Sequence, residues 1–410
     1  MKKLIAAGLF IALNLFAYNH LKVGESKPLN NLDFYFGSVK FPNGYVMKNT
    51  WGLGSAAAHR IGDPSNIVYV MTDRGVNIKC KDDKKITGMD ICKKGKIFPY
   101  PDFTPTIVKL KIEKNKATIL KVIPLKDKFG KNISGLSPKL SNFPETPYDI
   151  YGNKIKNDPN GLDTEALYVM KDGSFWIGEE YAPSLVHVDK NGKIIERLVP
   201  KKLAKELKNA TYDIKGVLPD IIAKRHPNRG IEAIALSPDE KYIYFAIQSP
   251  LDNPKYSKSR DIRVYKMNLN NYNDIKEYLY KEDLAKTFKA DNKKKKRKQK
   301  DVKISEMTCV GKDKLIFDER ISKVSKFYFV DLKNEIPVPK SKDKNLETND
   351  KGVKAVHKKL VYMSVAKKGK VPSKIEGVAN LGNHKFFLIN DNDFGIKGAK
   401  EIGNIVKFNY

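Results

Sequence analysis

The sequence predicts an all-β fold, and within that class a β-propeller of about five to six four-stranded blades around a central axis. Three observations predict it. Short runs rich in β-branched and aromatic residues, each bounded by turn residues, follow one another along most of the chain. Helical patterns are confined to two connecting segments, 201–208 and 282–288. One hairpin plan also recurs along the chain, which is typical of a fold that grows by adding units.

The recurring plan begins with an acidic or hydroxyl residue and continues through an apolar strand, a polar turn and a second apolar strand. Four copies share it and a fifth is degenerate, at 163–180, 230–248, 305–320, 375–393 and 54–74. Each copy is predicted to be a β-hairpin, and the strands that follow it complete a blade. The closing blade is predicted to borrow the N-terminal strand around 33–41. The connections 126–159 and 201–227 leave room for a sixth blade.

The N-terminus has the features of a Sec signal peptide. A basic start at 1–3 precedes an apolar run that ends at Ala17, which is shorter than the roughly 20 apolar residues of a membrane-spanning helix. We therefore expect residues 1–17 to be removed and residues 18–410 to form one propeller domain, in the periplasm or outside the cell. The mature chain is expected to be a monomer without a transmembrane segment.

The chain has a formal net charge of +30, from 77 Lys and Arg against 47 Asp and Glu. A nucleic-acid partner is not expected, because the lysines are scattered through turns and outer strands rather than interleaved with stacking aromatic residues. The charge instead predicts a positive field that attracts small anionic substrates or anionic cell surfaces. The lysine-rich stretch 291–301 is predicted to be an exposed loop, with docking to a polyanion as the alternative.

Two of the three cysteines, Cys80 and Cys92, lie close together in a polar, turn-rich segment. An exported protein enters an oxidising compartment, so we expect these two residues to form a disulfide. A metal pair is disfavoured because neither a histidine nor the third cysteine lies nearby. Cys309 lies within an apolar strand and is predicted to be a small buried residue rather than a nucleophile.

The hairpin plan predicts one charged cluster per blade. In an antiparallel hairpin the first residue of one strand faces the last residue of the next, so the opening and closing residues of each repeat meet. If the first strands line the axis, these clusters converge on one mouth. The candidate metal ligands at this mouth are Asp73, Glu165, Glu179, Glu232, Glu306, Glu319, Glu376, Asp391 and Asp393.

So many carboxylates ionise together only with cations nearby, because neighbouring negative charges raise each other's pKa. A hard divalent metal is the simplest solution, and Ca²⁺ suits a flexible set of carboxylate and amide oxygens. Few histidines and no His-x-x-x-His pair argue against zinc. The alternative is that the acids form buried ion pairs with arginine at the ends of the blades.

Arginines stand beside these acids in the repeats, and a guanidinium offers a planar fork of donors that suits phosphate or another oxyanion. The chain has no Gly-x-Ser-x-Gly motif and no histidine at the spacing of a catalytic triad. Hydrolysis is therefore expected to use metal-activated water with a carboxylate base. The candidate catalytic residues are Glu165, Glu179, Glu376, Arg74, Arg229 and Arg320.

Several short motifs occur in a fixed order. They are TDRG at 72–75, FPYPDF at 98–103, DTE at 163–165 with EEYAP at 179–183, NRGIE at 228–232, SE at 305–306 with ER at 319–320, and EG at 376–377 with NDND at 390–393. Over about residues 50–397 the chain resembles the bacterial family called esterase-like activity of phytase, or phytase-like domain. The resemblance implies an exported propeller with phosphoesterase or esterase activity. Ala166 and Ala233 replace a glycine common in such repeats, and the lysine tract 293–300 looks like an addition.

The sequence thus predicts an exported, metal-dependent hydrolase of phosphoesters or related esters. One alternative is a non-catalytic propeller that binds an anionic ligand or a cell-envelope partner at the same mouth. A third hypothesis is a lactonase-like hydrolase whose metal ligands are drawn from Glu376, Asn392 and Asp391. The three hypotheses share the mouth and differ in what happens to the ligand there.

Overall fold

The computed structural model describes residues 18–252 and 259–410. The predicted signal peptide, residues 1–17, lies outside the described residues. Strands dominate the described chain, and its helices are short and lie in connections. The protein is therefore all-β, as the strand-like periodicity of the sequence predicts.

Twenty-six strands occur within the described residues. The first thirteen are β1 (Ser26–Pro28), β2 (Tyr35–Lys40), β3 (Val46–Thr50), β4 (Ala56–Ala58), β5 (Ile67–Met71), β6 (Ile78–Lys79), β7 (Lys96–Ile97), β8 (Thr106–Glu113), β9 (Lys116–Pro124), β10 (Pro147–Tyr148), β11 (Thr164–Val169), β12 (Phe175–Glu179) and β13 (Ser184–Val188). The others are β14 (Ile194–Pro200), β15 (Asp213–Leu218), β16 (Ile231–Leu236), β17 (Tyr242–Ile247), β18 (Asp261–Asn268), β19 (Asn271–Lys281), β20 (Lys303–Gly311), β21 (Lys314–Arg320), β22 (Val324–Asp331), β23 (Lys358–Val365), β24 (Ile375–Asn380), β25 (Lys385–Asn390) and β26 (Gly403–Lys407).

The helices each span one or two turns. The α-helices within the described residues are α1 (Asp83–Thr87), α2 (Lys201–Ala204) and α3 (Lys289–Asn292). The 3-10 helices are Cys80–Asp82, Asp220–Lys224, Ala285–Thr287, Gln299–Asp301, Leu332–Asn334, Lys340–Asn345 and Asp393–Gly395. Both segments with a helical sequence pattern therefore contain a helix that is shorter than the pattern.

Five sheets each start from a short inner strand. Their orders from the inner strand outward are β4-β5-β8-β9-β1, β11-β12-β13-β14-β15, β16-β17-β18-β19, β20-β21-β22-β23 and β24-β25-β26. Within these sheets neighbouring strands are antiparallel, except that β14 and β15 are parallel. Two small sheets, β2-β3 and β6-β7-β10, lie outside this series.

The inner strands contact one another in a closed order. β4 contacts β11, β11 contacts β16, β16 contacts β20, β20 contacts β24, and β24 contacts β4. The starts of β11, β16, β20 and β24 lie around one pocket, and the later halves of all five inner strands lie around a second pocket. The five hairpins predicted from the repeats are therefore neighbours in space as well as in sequence.

The core consists of apolar layers between successive sheets. On β12, Ile177 packs in the layer shared with the first sheet, whereas its neighbour Trp176 packs in the layer shared with the third sheet. This follows from the period of two in a strand, which sends successive side chains to opposite faces of the sheet. Both faces of the sheet are covered, so its strands are apolar almost throughout.

The sheets differ from the uniform four-stranded blade that the repeats predict, since they contain five, five, four, four and three strands. The prediction that segment 33–41 completes the last sheet is wrong, because β2 pairs with β3 instead. The preceding segment reaches that sheet, where the Gly403 N–H donates to the Leu29 carbonyl at 2.7 Å. β1 pairs with β9, so the N-terminal chain connects the first sheet with the last.

Cys80 and Cys92 form the expected disulfide, with their Cα atoms 5.1 Å apart. In the lysine-rich stretch, residues 293–296 are exposed between α3 and the 3-10 helix Gln299–Asp301. None of the helices within 18–252 and 259–410 has the length and apolar character needed to cross a membrane.

Candidate functional site

Four of the five hairpins of the inner strands contain one extra residue near the start of the first strand. Glu165 is left out of the β11–β12 ladder, Glu232 out of the β16–β17 ladder and Glu376 out of the β24–β25 ladder. Such a β-bulge turns the side chain of the extra residue away from the regular alternation of its strand. The three glutamates accordingly line one pocket of about 300 Å³.

In the fourth hairpin, the bulge lies one residue earlier than the alignment of the repeats predicts. Its bulge falls on Ser305, whereas Glu306 pairs with Asp318 in the ladder. Ser305 is therefore the residue that matches Glu165, because a slip of one residue turns a strand side chain to the opposite face. Glu306 is fully buried and lies outside the lining of the pocket within the described residues, so its predicted place at the mouth is wrong.

Three carboxylates meet at this pocket. Asp73, Asp163 and Glu165 each place one oxygen within 4.8 Å of the others, and we call them the carboxylate triad. The Ser55 hydroxyl donates to the Glu165 carboxylate at 2.8 Å. Burial raises the pKa of Asp73 and of Glu165 well above the usual range, and the negative charge of neighbouring carboxyls raises both further. The triad therefore favours a bound proton or a bound cation.

Arg74 holds one member of the triad in place. Its guanidinium donates to Asp163 at 2.9 Å, to Glu145 at 2.6 Å and to the hydroxyl of Ser137. Burial raises the pKa of Glu145, but Arg74 and Lys96 outweigh it and lower that pKa to about 2. The donors of Arg74 are thus engaged within the protein, and its role in the structure is to orient Asp163.

Two further glutamates of the pocket have carboxylate oxygens without a hydrogen-bond partner in the described part of the chain. They are both oxygens of Glu180 and Oε2 of Glu232. The two side chains are 1% and 3% exposed. Burial raises the pKa of Glu180 to about 8, and the negative charge of Glu232 contributes next. Leaving such oxygens unsatisfied costs free energy, so a cation or a donor from a ligand stabilises them.

The fourth and fifth sheets supply positive charge to the same pocket. Lys303 lines it, and burial lowers the pKa of this lysine to about 8, with Arg320 contributing next. Lys374 also lines it, and its ammonium lies 2.7 Å from Asp393 and 3.6 Å from Asp391. Burial, followed by the negative charge of the adjacent Asp393, raises the pKa of Asp391 to about 6. The pocket is therefore acidic where the first three sheets meet and mixed in charge where the last two meet.

Two predicted metal ligands turn away from the pocket into the core. The fully buried Glu179 accepts from Arg197 at 2.9 Å. Glu319 accepts from the Tyr280 hydroxyl at 2.7 Å and from Lys358 at 2.7 Å. These acids form the buried ion pairs that the sequence left open as an alternative.

The three predicted arginine clamps also have partners within the protein. Arg320 pairs with Glu376 in a buried contact, and Arg229 donates to the Ser249 hydroxyl at 2.5 Å. Neither they nor Arg74 belong to the pocket lining within the described residues. The positive charge that faces the pocket comes from lysines instead.

The structure brings six of the nine predicted metal ligands together, namely Asp73, Glu165, Glu232, Glu376, Asp391 and Asp393. It adds Asp163, Glu180 and Lys303, which sequence reasoning did not select as site residues. Asp163 and Glu180 stand directly beside selected residues in the DTE and EEYAP motifs. No pattern in the sequence distinguishes the member of the Glu179-Glu180 pair that faces the pocket, because Arg197, which holds Glu179 outside it, lies on another strand.

The donor set fits a hard divalent cation. The triad offers carboxylate oxygens, and Glu180 adds two more that lack a partner among the described residues. The lining within these residues contains neither histidine nor cysteine, which are the ligands that zinc prefers. Calcium takes six to eight oxygen ligands in a flexible geometry, so the residues present suit it.

The chain belongs to the phytase-like family, which is described as esterase-like activity of phytase and matches residues 52–394. The matched range contains the carboxylate triad and the pocket residues of all five hairpins.

An "Uncharacterized secreted protein" from Arthroderma benhamiae is 25% identical to this chain over 166 residues. The match covers 35% of this chain and 32% of that protein, so it spans about a third of the relative's length.

Three solved structures are similar over most of the chain. The PQQ-bound aldose sugar dehydrogenase from Streptomyces coelicolor has a TM-score of 0.33 and 8% identity over 94% of this chain and 98% of that chain. A luciferin-regenerating enzyme has a TM-score of 0.35 and 10% identity over 90% and 95%. A streptogramin B lyase has a TM-score of 0.32 and 11% identity over 94% and 98%. These scores are low, and no conclusion about this chain rests on them.

Proposed function

We propose that this protein is an exported, metal-dependent hydrolase of phosphoesters or related esters, with Ca²⁺ or a similar divalent cation at the carboxylate triad. The observation that carries the proposal is the triad beside Glu180, whose two buried oxygens lack a partner among the described residues. Membership of a family described by esterase-like activity supports the reaction class. The word "secreted" in the name of the relative supports export.

The proposal includes a five-bladed propeller, in which the five sheets are blades around one axis. The closed order of contacts among the inner strands supports this arrangement. The starts of the inner strands then form one axial mouth, and the bulged residues Glu165, Glu232 and Glu376 point into it. A propeller leaves the strand ends free to carry function while the sheets supply stability.

Each group of the pocket has a role that follows from its position. Asp73, Asp163 and Glu165 would hold the cation, which when bound acts as a Lewis acid and lowers the pKa of bound water. Glu180 is placed to accept or return a proton at its carboxylate, since burial raises its pKa to about 8. Lys303 is placed to stabilise negative charge on the ester oxygens.

The test is hydrolysis of 4-nitrophenyl phosphate, 4-nitrophenyl acetate and a simple lactone by the purified full chain, with Ca²⁺ and after chelation. We expect turnover of at least one ester, loss of turnover on chelation, and a decrease of at least about 100-fold in Asp163→Asn. Asp172→Asn is the matched control, because Asp172 is exposed at the turn of the same hairpin. Absence of turnover with several divalent metals, or equal rates in both variants, contradicts the proposal.

A non-catalytic binding protein is the second candidate. One observation favours it: Arg320 is paired with Glu376 and Lys374 with Asp393, so much of the charge at the mouth is held in fixed pairs that stabilise the fold. This candidate predicts saturable, salt-sensitive binding of phosphate with no chemical change. Recovery of intact ester after prolonged incubation with protein and Ca²⁺ favours it, and release of 4-nitrophenol excludes it.

A further inference from the structure

A second concave site adjoins the carboxylate pocket, and we call it the lysine groove. It has a volume of about 510 Å³. The groove and the pocket share Lys79, Lys96 and Asn228 in their walls. One wall of the groove belongs to segment 79–96, and the other to segments 143–145 and 227–228. A ligand of moderate size can therefore occupy both sites at once.

The lysine groove carries a large excess of positive charge. Its lining includes five lysines, at positions 79, 81, 93, 94 and 96. Glu145 is the single acid of the lining within the described residues, and it is already paired with Arg74 at 2.6 Å and with Lys96 at 3.4 Å. The charge of the other lysines is thus left uncompensated by the lining, which favours an anionic ligand.

The disulfide holds this charge together. Lys79 and Lys81 flank Cys80, and Lys93 and Lys94 follow Cys92, so the covalent bond draws two pairs of lysines to one place. Burial lowers the pKa of Lys79, and the charges of Lys96 and Lys81 lower it further. Like charges repel, so a fold that brings them together does so against an electrostatic cost that an anion relieves.

An aromatic ring in a strained backbone conformation completes the groove. Phe143 has φ +56°, in the left-handed region, where a bulky residue is strained and glycine or asparagine is usual. Tyr181 secures the turn, since its hydroxyl donates to the Phe143 carbonyl at 3.1 Å and accepts from the Glu145 N–H at 3.0 Å. Strain of this kind persists only where the surroundings hold it, and it is concentrated at functional sites.

Further apolar and aromatic residues line the groove. Pro144, Tyr181 and Pro227 lie beside Phe143 in the groove. The Phe143 ring also lies 5.8 Å from the guanidinium of Arg225. The groove therefore combines apolar and aromatic surface with lysines.

We propose that the lysine groove binds the part of the substrate that does not react, an aromatic or similarly flat apolar body carrying a further anionic group, while the reacting ester lies at the carboxylate triad. The assignment of the reacting end rests on the proposed function. The groove itself is connected to the triad by a chain of ion pairs, from Lys96 through Glu145 and Arg74 to Asp163. A ligand in the groove is thereby held in a fixed relation to the triad.

The test uses 1-naphthalenesulfonate, an aromatic anion without an ester bond, in fluorescence and calorimetric titrations of the full chain. We expect saturable binding, and binding of methanesulfonate, which lacks the ring, that is at least about tenfold weaker. The double variant Lys93→Glu/Lys94→Glu is expected to weaken naphthalenesulfonate binding at least about tenfold. Lys84→Glu/Lys85→Glu is the matched control, with the same change of charge on exposed lysines of α1 that do not line the groove.

The variant Phe143→Gly separates the contribution of the ring to binding from its contribution to stability. Glycine accepts the left-handed backbone without strain, so the melting temperature is expected to stay within a few degrees while naphthalenesulfonate binding weakens about tenfold. Phe129→Gly is the control, because Phe129 is 75% exposed and lies outside the groove lining. Equal affinity of wild type, Phe143→Gly and Lys93→Glu/Lys94→Glu overturns the proposal.

The two hypotheses fail in different ways. Binding of naphthalenesulfonate without hydrolysis of any ester supports the groove and contradicts the hydrolase. Hydrolysis of esters by a protein that binds naphthalenesulfonate no better than methanesulfonate supports the hydrolase and contradicts the groove.

Discussion

The two ends of the five inner strands have opposite chemistry. The starts of β11, β16, β20 and β24 surround the pocket of about 300 Å³ with carboxylates and lysines. Their later halves surround a second pocket of about 200 Å³ lined mainly by apolar residues, among them Leu167, Ile234, Met307 and Val378. Cys309 lies at this second pocket, where burial raises the pKa of its thiol to about 11, so its environment does not favour a nucleophile.

The difference shows the effect of one inserted residue in the hairpins that contain Glu165, Glu232 and Glu376. Beyond the bulge the pairing is regular, for example between Leu167 and Ile177, and the alternation of the strand sends apolar side chains into the layers between sheets. At the bulge the alternation is interrupted, and Glu165 faces the pocket. The charged site is therefore built at the edge of the apolar layers without disturbing the packing within them.

Among the substitutions at the two ends, Arg74→Met is expected to cause the largest loss of stability. The change leaves the buried carboxylates of Asp163 and Glu145 without their shared cation, and breaking such a buried pair costs about 3–5 kcal/mol. Urea unfolding measures this loss, with the exposed Lys312→Met as control. A variant of normal stability that only raises KM would instead support the oxyanion clamp that the sequence predicts for Arg74.

Glu145, at the charged end, is expected to make the stability of the protein depend on pH. Its pKa is about 2, below the ordinary value of 4.5, because Arg74 and Lys96 outweigh the effect of burial. The ionised group thus stabilises the fold above about pH 4.5, and this contribution is lost as the pH falls toward 2. Glu145→Gln should cost about 3 kcal/mol at pH 7 and progressively less at pH 4 and pH 3. Urea unfolding at the three pH values checks it, and a constant difference contradicts it.

Leu167→Ala tests the apolar end. Leu167 is 3% exposed, and removing its branched side chain from a packed layer should cost about 3 kcal/mol. Calorimetric titration should give a Ca²⁺ affinity within twofold of wild type, because the packing change lies beyond the bulge. Leu167→Met is the control of similar volume, with a smaller loss. A parallel loss of Ca²⁺ affinity in Leu167→Ala would mean that the two ends are not independent.

Glu165→Gln tests the charged end two positions away on the same strand. We expect Ca²⁺ affinity to fall about 100-fold in calorimetric titration, because a member of the triad loses its charge. The melting temperature in chelator should not fall, because burial raises the pKa of Glu165 and its charge therefore opposes folding.

Glu179→Gln is the matched control for Glu165→Gln. Glu179 is paired with Arg197 outside the pocket, so its variant should keep the Ca²⁺ affinity. Equal effects of the two substitutions on Ca²⁺ affinity contradict the assignment of the triad.

Much of the fold follows from local patterns that the sequence displays directly. The short apolar runs of β12 and β17, and the turn residues that precede each of them, predict the hairpins, because a strand with both faces covered is apolar almost throughout. The pairing of Cys80 with Cys92 follows from the oxidising compartment expected for an exported chain. The number of outer strands does not follow, because β1 and β15 join their sheets through long-range pairing.

The sequence by itself determined that five hairpins recur and that each carries charged or polar residues at its ends, because strand periodicity and turn chemistry are local properties. The tertiary structure decided which of those residues meet. A bulge of one residue places Ser305, rather than Glu306, at the position that corresponds to Glu165. Contacts between separate segments engage Arg74 and Glu179 in buried ion pairs. Long-range pairing and single-residue shifts in register leave no periodic signal in a sequence, so only the folded chain shows them.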